Sequence, residues 1–300
     1  MTIPIFLLFG LVVGSFLNVC ISRIPEGISI VSPASRCPNC GAAIKPYDNV
    51  PVLAWVWLRG KCRACSAPIS IMYPAIELLT GILFVATYLS FGVTPETFKW
   101  LFFVCLIVVL TITDVRIRIL PDAVNYFGFG LGLALAVRLA PIDPVCLRFA
   151  DIFPALHSNS ILLGLVCALL GAAAGSLLLY GAAALYKLAR GRDGMGMGDV
   201  KMMLMIGAFL GVQGTFLTLL LGTLLGSIVG LLLVLVLFAI GWKSRVAVRA
   251  SRRGLGTPTA MRWTISSRYQ LPLGTFLGIA ALIVVFFRSR LDAIAFRLMR

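Results

Sequence analysis

The sequence predicts an all-α protein: a polytopic membrane helix bundle of about eight spans with a small cytoplasmic zinc-binding loop domain. Sixty per cent of its 300 residues are hydrophobic and only 12% are charged, with a mean hydropathy of +1.02. No water-soluble domain buries that much apolar surface. The apolar residues also fall in runs of roughly 20, the length that crosses about 30 Å of hydrocarbon at about 1.5 Å per residue. Two Cys-x-x-Cys pairs in the one long polar segment near the amino end predict the loop domain.

The first span covers 3–20. It lacks a preceding basic region and a following small-residue cleavage site, so it reads as a retained span and not a cleaved signal peptide. Further spans fall near 74–92, 99–114, 121–140, 160–186, 200–212, 214–241 and 271–288. Residues 202–242 carry no charge and are too many for one crossing. Gly211, Gln213 and Gly214 mark the expected turn between two. The chain thus divides into a first span at 1–21, a cytoplasmic zinc-ribbon-like loop at 22–72, a transmembrane domain at 73–288 and a basic tail at 289–300.

The net charge of +15 sits in loops between apolar runs. It points to membrane topology and anionic lipid as a partner, and not to nucleic acid. The 22–72 loop carries Arg23, Arg36, Lys45, Arg59, Lys61 and Arg63 against Glu26 and Asp48. The 243–270 segment carries Lys243, Arg245, Arg249, Arg252, Arg253, Arg262 and Arg268. The positive-inside rule puts both in the cytoplasm and the amino terminus outside. Arg288, Arg290, Arg297 and Arg300, against Asp292, run counter to that arrangement. A single histidine, His157 in an expected external loop, argues against Ser-His or Cys-His catalysis and histidine metal centres.

Cys37-Pro38-Asn39-Cys40-Gly41 and Cys62-Arg63-Ala64-Cys65 leave 21 residues between the pairs, close to zinc-ribbon spacing. A two-residue gap lets both sulfurs of a pair face one tetrahedral ion, and Gly41 permits the tight turn behind the second thiolate. Two disulfides or four idle thiols are the alternative. A cytoplasmic loop disfavours disulfides, and a loop with little core of its own gains from a metal. No open coordination position is implied, so Cys37, Cys40, Cys62 and Cys65 are expected to hold a structural Zn²⁺. Cys20, Cys105, Cys146 and Cys167 lie in or beside apolar runs and are expected to be packing residues.

Asp114 closes the apolar run 100–113 and begins a segment ending in Leu120-Pro121-Asp122. Asp199 follows the turn Gly194-Met195-Gly196-Met197-Gly198. Ionisable side chains inside or at the ends of spans are costly and point to function. Two carboxylates on different spans can share a proton and activate a water. One is then ionised as general base, and the other is protonated to polarise a carbonyl. Glycines before Asp199 allow close approach across the bundle. Helix capping is the alternative for each aspartate. It is compatible with catalysis at Asp199, and capping or support is preferred for Asp122.

Taken in order, several motifs resemble the type IV prepilin peptidase family along nearly the whole chain. They are Gly14-Ser15-Phe16-Leu17-Asn18-Val19, the four cysteines, Tyr73-Pro74-Ala75-Ile76-Glu77-Leu78, Asp114 with Leu120-Pro121-Asp122, and residues 194–201. The resemblance implies a multi-pass enzyme of the bacterial inner membrane with its active site facing the cytoplasm. Such an enzyme removes the basic leader of type IV prepilins and pseudopilins after a glycine, then N-methylates the new amino terminus from S-adenosylmethionine. It implies Asp114 and Asp199 as the catalytic pair, the four cysteines as zinc ligands, 22–72 as methylase-associated and 73–288 as the peptidase domain. Gly60-Lys61, before the third cysteine, matches a pair linked to methyl transfer and hence to its cofactor; a turn glycine and a solvated lysine are the alternative. Asn18 and Glu77 are expected to serve either site or to satisfy each other between helices. Two departures bear on substrate preference. Arg116 stands where the family often has an acidic residue, and Leu271-Pro272-Leu273-Gly274-Thr275 only loosely matches a Pro-Phe-Gly-Pro run. No Rossmann fingerprint for the methyl donor is present.

Other readings remain open at this point. One is a peptidase without methylase activity. Another is a proton-coupled transporter using the paired aspartates, against which the zinc loop and the lack of repeated spans count. A third is a zinc-ribbon scaffold without catalysis. Glu26, Asp48, Glu77 and Asp122 are the candidates to receive a leader's positive charge, with anionic lipid as the alternative. The sequence does not distinguish pilus, secretion and competence clients, and says nothing of oligomeric state.

Overall fold

The computed structural model describes residues 2–153, 156, 158–191, 196–239 and 272–298. His157, Gly194, Met195, Leu271, Arg300 and the basic segment 243–270 lie outside the described residues, as do the side chains of Arg288, Arg290, Asp292 and Arg297. The helices are α1 (Thr2–Arg23), the short α2 (Leu53–Trp57), α3 (Met72–Phe91), α4 (Pro95–Ile117), α5 (Asp122–Ala136), α6 (Pro144–Ile152), α7 (Ser160–Arg190), α8 (Met197–Ala239) and α9 (Leu273–Leu298). Among the described residues β-pairing is confined to two isolated bridges, Arg36 with Ala43 and Lys61 with Pro68.

Local chemistry fixes the helix ends. Pro95 opens α4 behind a reciprocal cap between Thr94 and Thr97, which satisfies amides that have no partner inside the helix. Asn159 accepts from the amides of Ile161 and Leu162 to start α7, and Gly191 closes it in the left-handed conformation. Within the spans, Thr80, Thr87, Thr113, Thr218 and Ser176 return their hydroxyls to the carbonyl one turn back. This satisfies those hydroxyls inside their own helices, whereas Thr111 Oγ1 in α4 is buried without a hydrogen-bond partner among the described residues.

Helices α1, α3, α4, α7 and α8 are long and apolar enough to cross a membrane, and α9 adds a shorter apolar stretch, Leu273–Phe287. The all-helical membrane bundle is therefore the fold, while length and apolarity alone do not reach eight crossings. Helix α8 is the reason one long run contains two. Gly211 is non-helical at φ 75° and ψ −173°. A Cβ on Gly175 of α7 would lie 2.6 Å from Thr215 Cγ2 and 3.3 Å from Met203 Cβ. Likewise Gly222 meets Leu277 while Met202 meets Gly278, one residue further along α9. Positions on both sides of Gly211 touch the same turn of α7 and the same turn of α9, so α8 folds back on itself at Gly211, where a turn is expected.

This hairpin and the α3–α4 reversal define two ends. At the loop end lie the 22–72 segment, the start of α3, the end of α4 and the start of α8. At the far end lie the start of α4, the end of α5, α6 and the Gly211 turn. There Lys99 Nζ donates to the Leu139 carbonyl at 2.9 Å. Asp143, 2% exposed, accepts from the Cys146 amide at 2.8 Å and the Gln213 amide at 3.0 Å. One carboxylate thus caps α6 and the second arm of α8.

The far end also corrects an expectation. Cys146 and Cys167, expected to be packing residues, form a disulfide with a Cα–Cα distance of 5.5 Å. The amphipathic α6 carries Cys146 back against α7, a pairing that two lone cysteines in apolar sequence do not announce. Cys20 and Cys105 remain free thiols in or against the apolar core.

Most of the large, fully buried side chains belong to α4 and the first arm of α8. Phe103, Ile107 and Leu110 meet Met202, Met205, Ile206 and Phe209 there. The outward faces of α1 (Ile5, Leu8, Val12) and of the second arm of α8 (Leu231, Leu235) are exposed, as lipid-facing surfaces are. Gly211 is the fold's most exposed point of failure. A Cβ there would meet Asp143 Oδ2 and the Pro141 carbonyl, each at 2.6 Å, in a backbone conformation reserved for glycine. Gly211→Ala should cost about 2 kcal/mol or more, seen as a lowered melting temperature in detergent; an unchanged Tm would remove the turn from this role.

Candidate active site

The two central helices run in opposite directions, so the last turn of α4 and the first turn of α8 sit side by side at the loop end. Asp114 and Asp199 occupy those turns. Asp114 is 5% exposed. Its Oδ2 accepts from the Thr275 amide at 2.7 Å and from Thr275 Oγ1 at 2.9 Å. Both donors belong to the first turn of α9, whose amides have no partner within the helix and whose dipole favours negative charge. Asp199 faces Gly274 of the same turn.

Gly274 brings the pair together. A Cβ at this position would lie 3.0 Å from Asp114 Oδ2 and 3.2 Å from Asp199 Oδ1. The two carboxylates therefore reach one shared point, and only glycine leaves it open. Leu120 roofs the same space, close to both Gly198 and Gly274. On the rim, Lys201 pairs with Asp122 at 2.6 Å and lies over the Tyr126 ring, tying the start of α5 to α8. Asp122 thus has a supporting role. Leu120, Gly274 and Thr275 have no signal in their residue types. Only the loosely matched 271–275 run, read as the start of a helix, points to the last two.

The second constellation is the loop. Cys37, Cys40, Cys62 and Cys65 bring their sulfurs within 4.8 Å of one another, with Cys37 and Cys65 at 3.9 Å. A tetrahedral site with bonds of about 2.3 Å requires sulfurs about 3.8 Å apart. Two copies of one backbone turn hold them. The Cys37 and Cys62 amides donate to Ala42 and Ala67, the Gly41 and Ser66 amides to Cys37 and Cys62, and the Ile44 and Ile69 amides to Ser35 and Gly60. Gly41 takes φ +71°, as expected, and Ser66 does the same work at +58°.

The thiols divide their charge unevenly. The Ala67 amide and the Asn39 side chain lower Cys65 to about 6. Amides of Cys40 and Asn39 lower Cys37. At Cys40 the Ala42 amide pulls downward, but the facing Cys65 and Cys37 sulfurs outweigh it and push the thiol up to about 11. Four thiolates this close need a cation among them, and a divalent metal ion fits the donor set.

The remaining expected residues separate. Gly60 is buried and positive in φ, with its Cα against the Trp55 ring; a Cβ there would lie 2.9 Å from Cζ2. Lys61 is exposed beside it. Asn18 and Glu77 do not satisfy each other. Asn18 donates to the Tyr73 carbonyl at 3.1 Å, and Glu77 accepts from the Val52 amide at 2.7 Å. The expected receivers of a basic leader are mostly engaged. Asp48 takes a bidentate pair from Arg63 that holds its carboxyl below the usual range. Asp122 binds Lys201, and Glu77 is buried. Glu26 alone of the four is exposed without an ion pair among the described residues.

Comparison with known proteins agrees with this division. Residues 8–91 match the bacterial peptidase A24 N-terminal domain, and residues 101–231 match the type IV leader peptidase family. A protein of Myxococcus xanthus (strain DK1622), named prepilin leader peptidase/N-methyltransferase, is 39% identical over 77% of this chain and 64% of its own length. Proteins of the same name from Aeromonas hydrophila and Bacillus subtilis (strain 168) are each 34% identical, over 76% and 75% of this chain and 80% and 82% of theirs. No solved structure matches. The chain belongs to the type IV leader peptidase family.

Proposed function

We propose that the chain is a membrane aspartic endopeptidase and N-methyltransferase. It removes the basic leader of type IV prepilins and pseudopilins after a glycine, then methylates the new amino terminus. The convergence of Asp114 and Asp199 on the open point at Gly274 carries the peptidase half, and the names of the relatives support both halves. The transporter and scaffold readings draw no support from those relatives.

The pair acts as a unit sharing one proton. The ionised carboxylate takes a proton from a water whose oxygen attacks the scissile carbonyl, while the protonated one donates to the carbonyl oxygen. As the tetrahedral centre collapses, the C–N bond breaks and the leaving nitrogen takes up a proton. Thr275 holds Asp114 in place for this and keeps its shape fixed between proton transfers. The site lies at a helix end, so a scissile bond at the membrane boundary reaches it without stranding backbone groups in hydrocarbon.

Cys37, Cys40, Cys62 and Cys65 would hold a Zn²⁺ ion that acts structurally, closing a loop with little core of its own. When bound, S-adenosylmethionine supplies an electrophilic methyl group: the free amine forms the N–C bond, the C–S bond breaks with its electrons on sulfur, and the amine loses a proton. Orientation follows from thiol chemistry. Free clustered cysteines at the loop end suit the reducing cytoplasm, and the Cys146–Cys167 disulfide at the far end suits the oxidising side of a bacterial inner membrane. A leader's positive charge then meets Glu26 and anionic lipid.

Asp114→Asn and Asp199→Asn should each lower the kcat for prepilin cleavage by about 10³-fold or more, because members of a catalytic unit fail together. Thr275→Val should lower kcat by about 10-fold with little change in KM, since it removes one charge-assisted hydrogen bond. Steady-state assays with a prepilin decide both, and near-normal turnover by either aspartate variant would remove that residue from the dyad. Metal analysis should find one zinc per chain. Chelation should expose four thiols to a maleimide added from the cytoplasmic side, while Cys146 and Cys167 stay unreactive until reduced. Zinc-free protein as isolated would sink the structural-metal assignment.

A further inference from the structure

A cavity of about 660 Å³ lies between the cysteine loop and the loop-end turns of α1 and α3. Its size is that of pockets holding small organic ligands. It is lined by residues from both cysteine turns together with Asn18, Trp55, Tyr73 and Glu77, and the aspartate pair uses none of them. We propose that this cavity binds S-adenosylmethionine, with Glu77 facing the sulfonium and Trp55 against the adenine. The inference rests on the methyltransferase half of the function above and gives it a site.

The lining has the chemistry that such a ligand needs. S-adenosylmethionine carries a permanent positive charge on sulfur. Two carboxylates line the cavity, Asp48 and Glu77. Asp48 is neutralised by Arg63; Glu77 has no cationic partner among the described residues and is 8% exposed. Burying a carboxylate without a counter-charge is costly, and a cationic ligand relieves that cost. Arg36 at the rim offers a guanidinium to the ligand's carboxylate.

The backbone is strained around these groups. Val52, a β-branched residue, takes φ 59° and ψ −50°, a conformation that persists only where surroundings enforce it. Its amide donates to Glu77 Oε2 at 2.7 Å, and it starts the short α2 that carries Trp55. The Trp55 ring is fixed on two sides. Its Nε1 donates to the Ile69 carbonyl at 3.1 Å, and its six-membered ring lies against Gly60, where no Cβ fits. Gly60 is therefore a positioning residue for Trp55, and Lys61 lies outside the lining. The cavity opens at the same end of the bundle as Asp114 and Asp199, so an amine released there stays on the donor's side of the membrane.

Charge supplies the discriminating test. The product S-adenosylhomocysteine has a neutral sulfur, so the carboxylate should favour donor over product. Equilibrium dialysis of the zinc-loaded full-length enzyme in detergent, with radiolabelled S-adenosylmethionine and S-adenosylhomocysteine, reads this directly. Glu77→Gln keeps an acceptor for the Val52 amide but loses the charge. It should weaken donor binding about 10-fold and product binding by less than about 2-fold. Trp55→Ala should weaken both by about 10-fold, and Gly60→Ala should do the same through the displaced ring. Zinc content and melting temperature verify that each variant is folded. Wild-type affinity in folded Glu77→Gln and Trp55→Ala variants, or loss confined to Lys61→Ala, would overturn the site. Failure of the cleaving wild-type enzyme to bind the donor at all would overturn the methyltransferase reading itself.

Discussion

The hydrogen bonds from Thr275 in the first turn of α9 to Asp114, with Gly274 set between Asp114 and Asp199, are what the rest of the site depends on. A carboxylate at the end of a buried helix is poorly solvated, and a helix N-terminus has amides with no partner inside the helix. Each deficiency answers the other. Thr275 supplies two donors to one oxygen of Asp114, and Gly274 turns to Asp199 while leaving room between the carboxylates. Three helices distant in sequence are thereby held at one point.

That point holds still because the helices behind it pack without slack. Glycines bring α7 against the first arm of α8 at Gly171 and Gly207, and α1 against α3 at Gly10 and Gly81. Such contacts place backbone on backbone, which is where packing energy between membrane helices comes from once the hydrophobic effect no longer separates helix from lipid. The large side chains of α4 and α8 then fill the middle. The loop with the cysteines sits outside this packing and depends on its own staples.

Much of this was legible in the residues, for identifiable reasons. Apolar runs reveal spans because length in hydrocarbon is a hard constraint, and the turn at Gly211 was readable because an uncharged run of that length cannot cross once. The cysteine spacing gave the metal-ligand cluster because two residues between thiols are a local geometry. What stayed hidden was contact between distant segments. Nothing beside Cys146 or Cys167 marks them as a pair, since α6 folds back through Asp143 and Pro144, whose capping role depends on a partner seventy residues on. Thr275 looks like any threonine near a span until α9 is seen to begin there. Glu77 and Asn18 were expected to serve a site or to satisfy each other, but their partners are backbone groups of other segments, which carry no sequence signature.

The hairpin in α8 has a consequence for how the chain enters the bilayer. Its two arms are joined by a single glycine with no polar loop between them, so neither arm has a stop at the far surface to hold it alone. They must enter as one folded-over unit. The groups left bare at the tip, the Gln213 amide among them, find their acceptor only when Asp143 arrives from the segment before α7. In the folded bundle the hairpin tip and α6 are thus joined at one carboxylate, and the arm that carries Asp199 beside α4 is anchored at its opposite end by that cap.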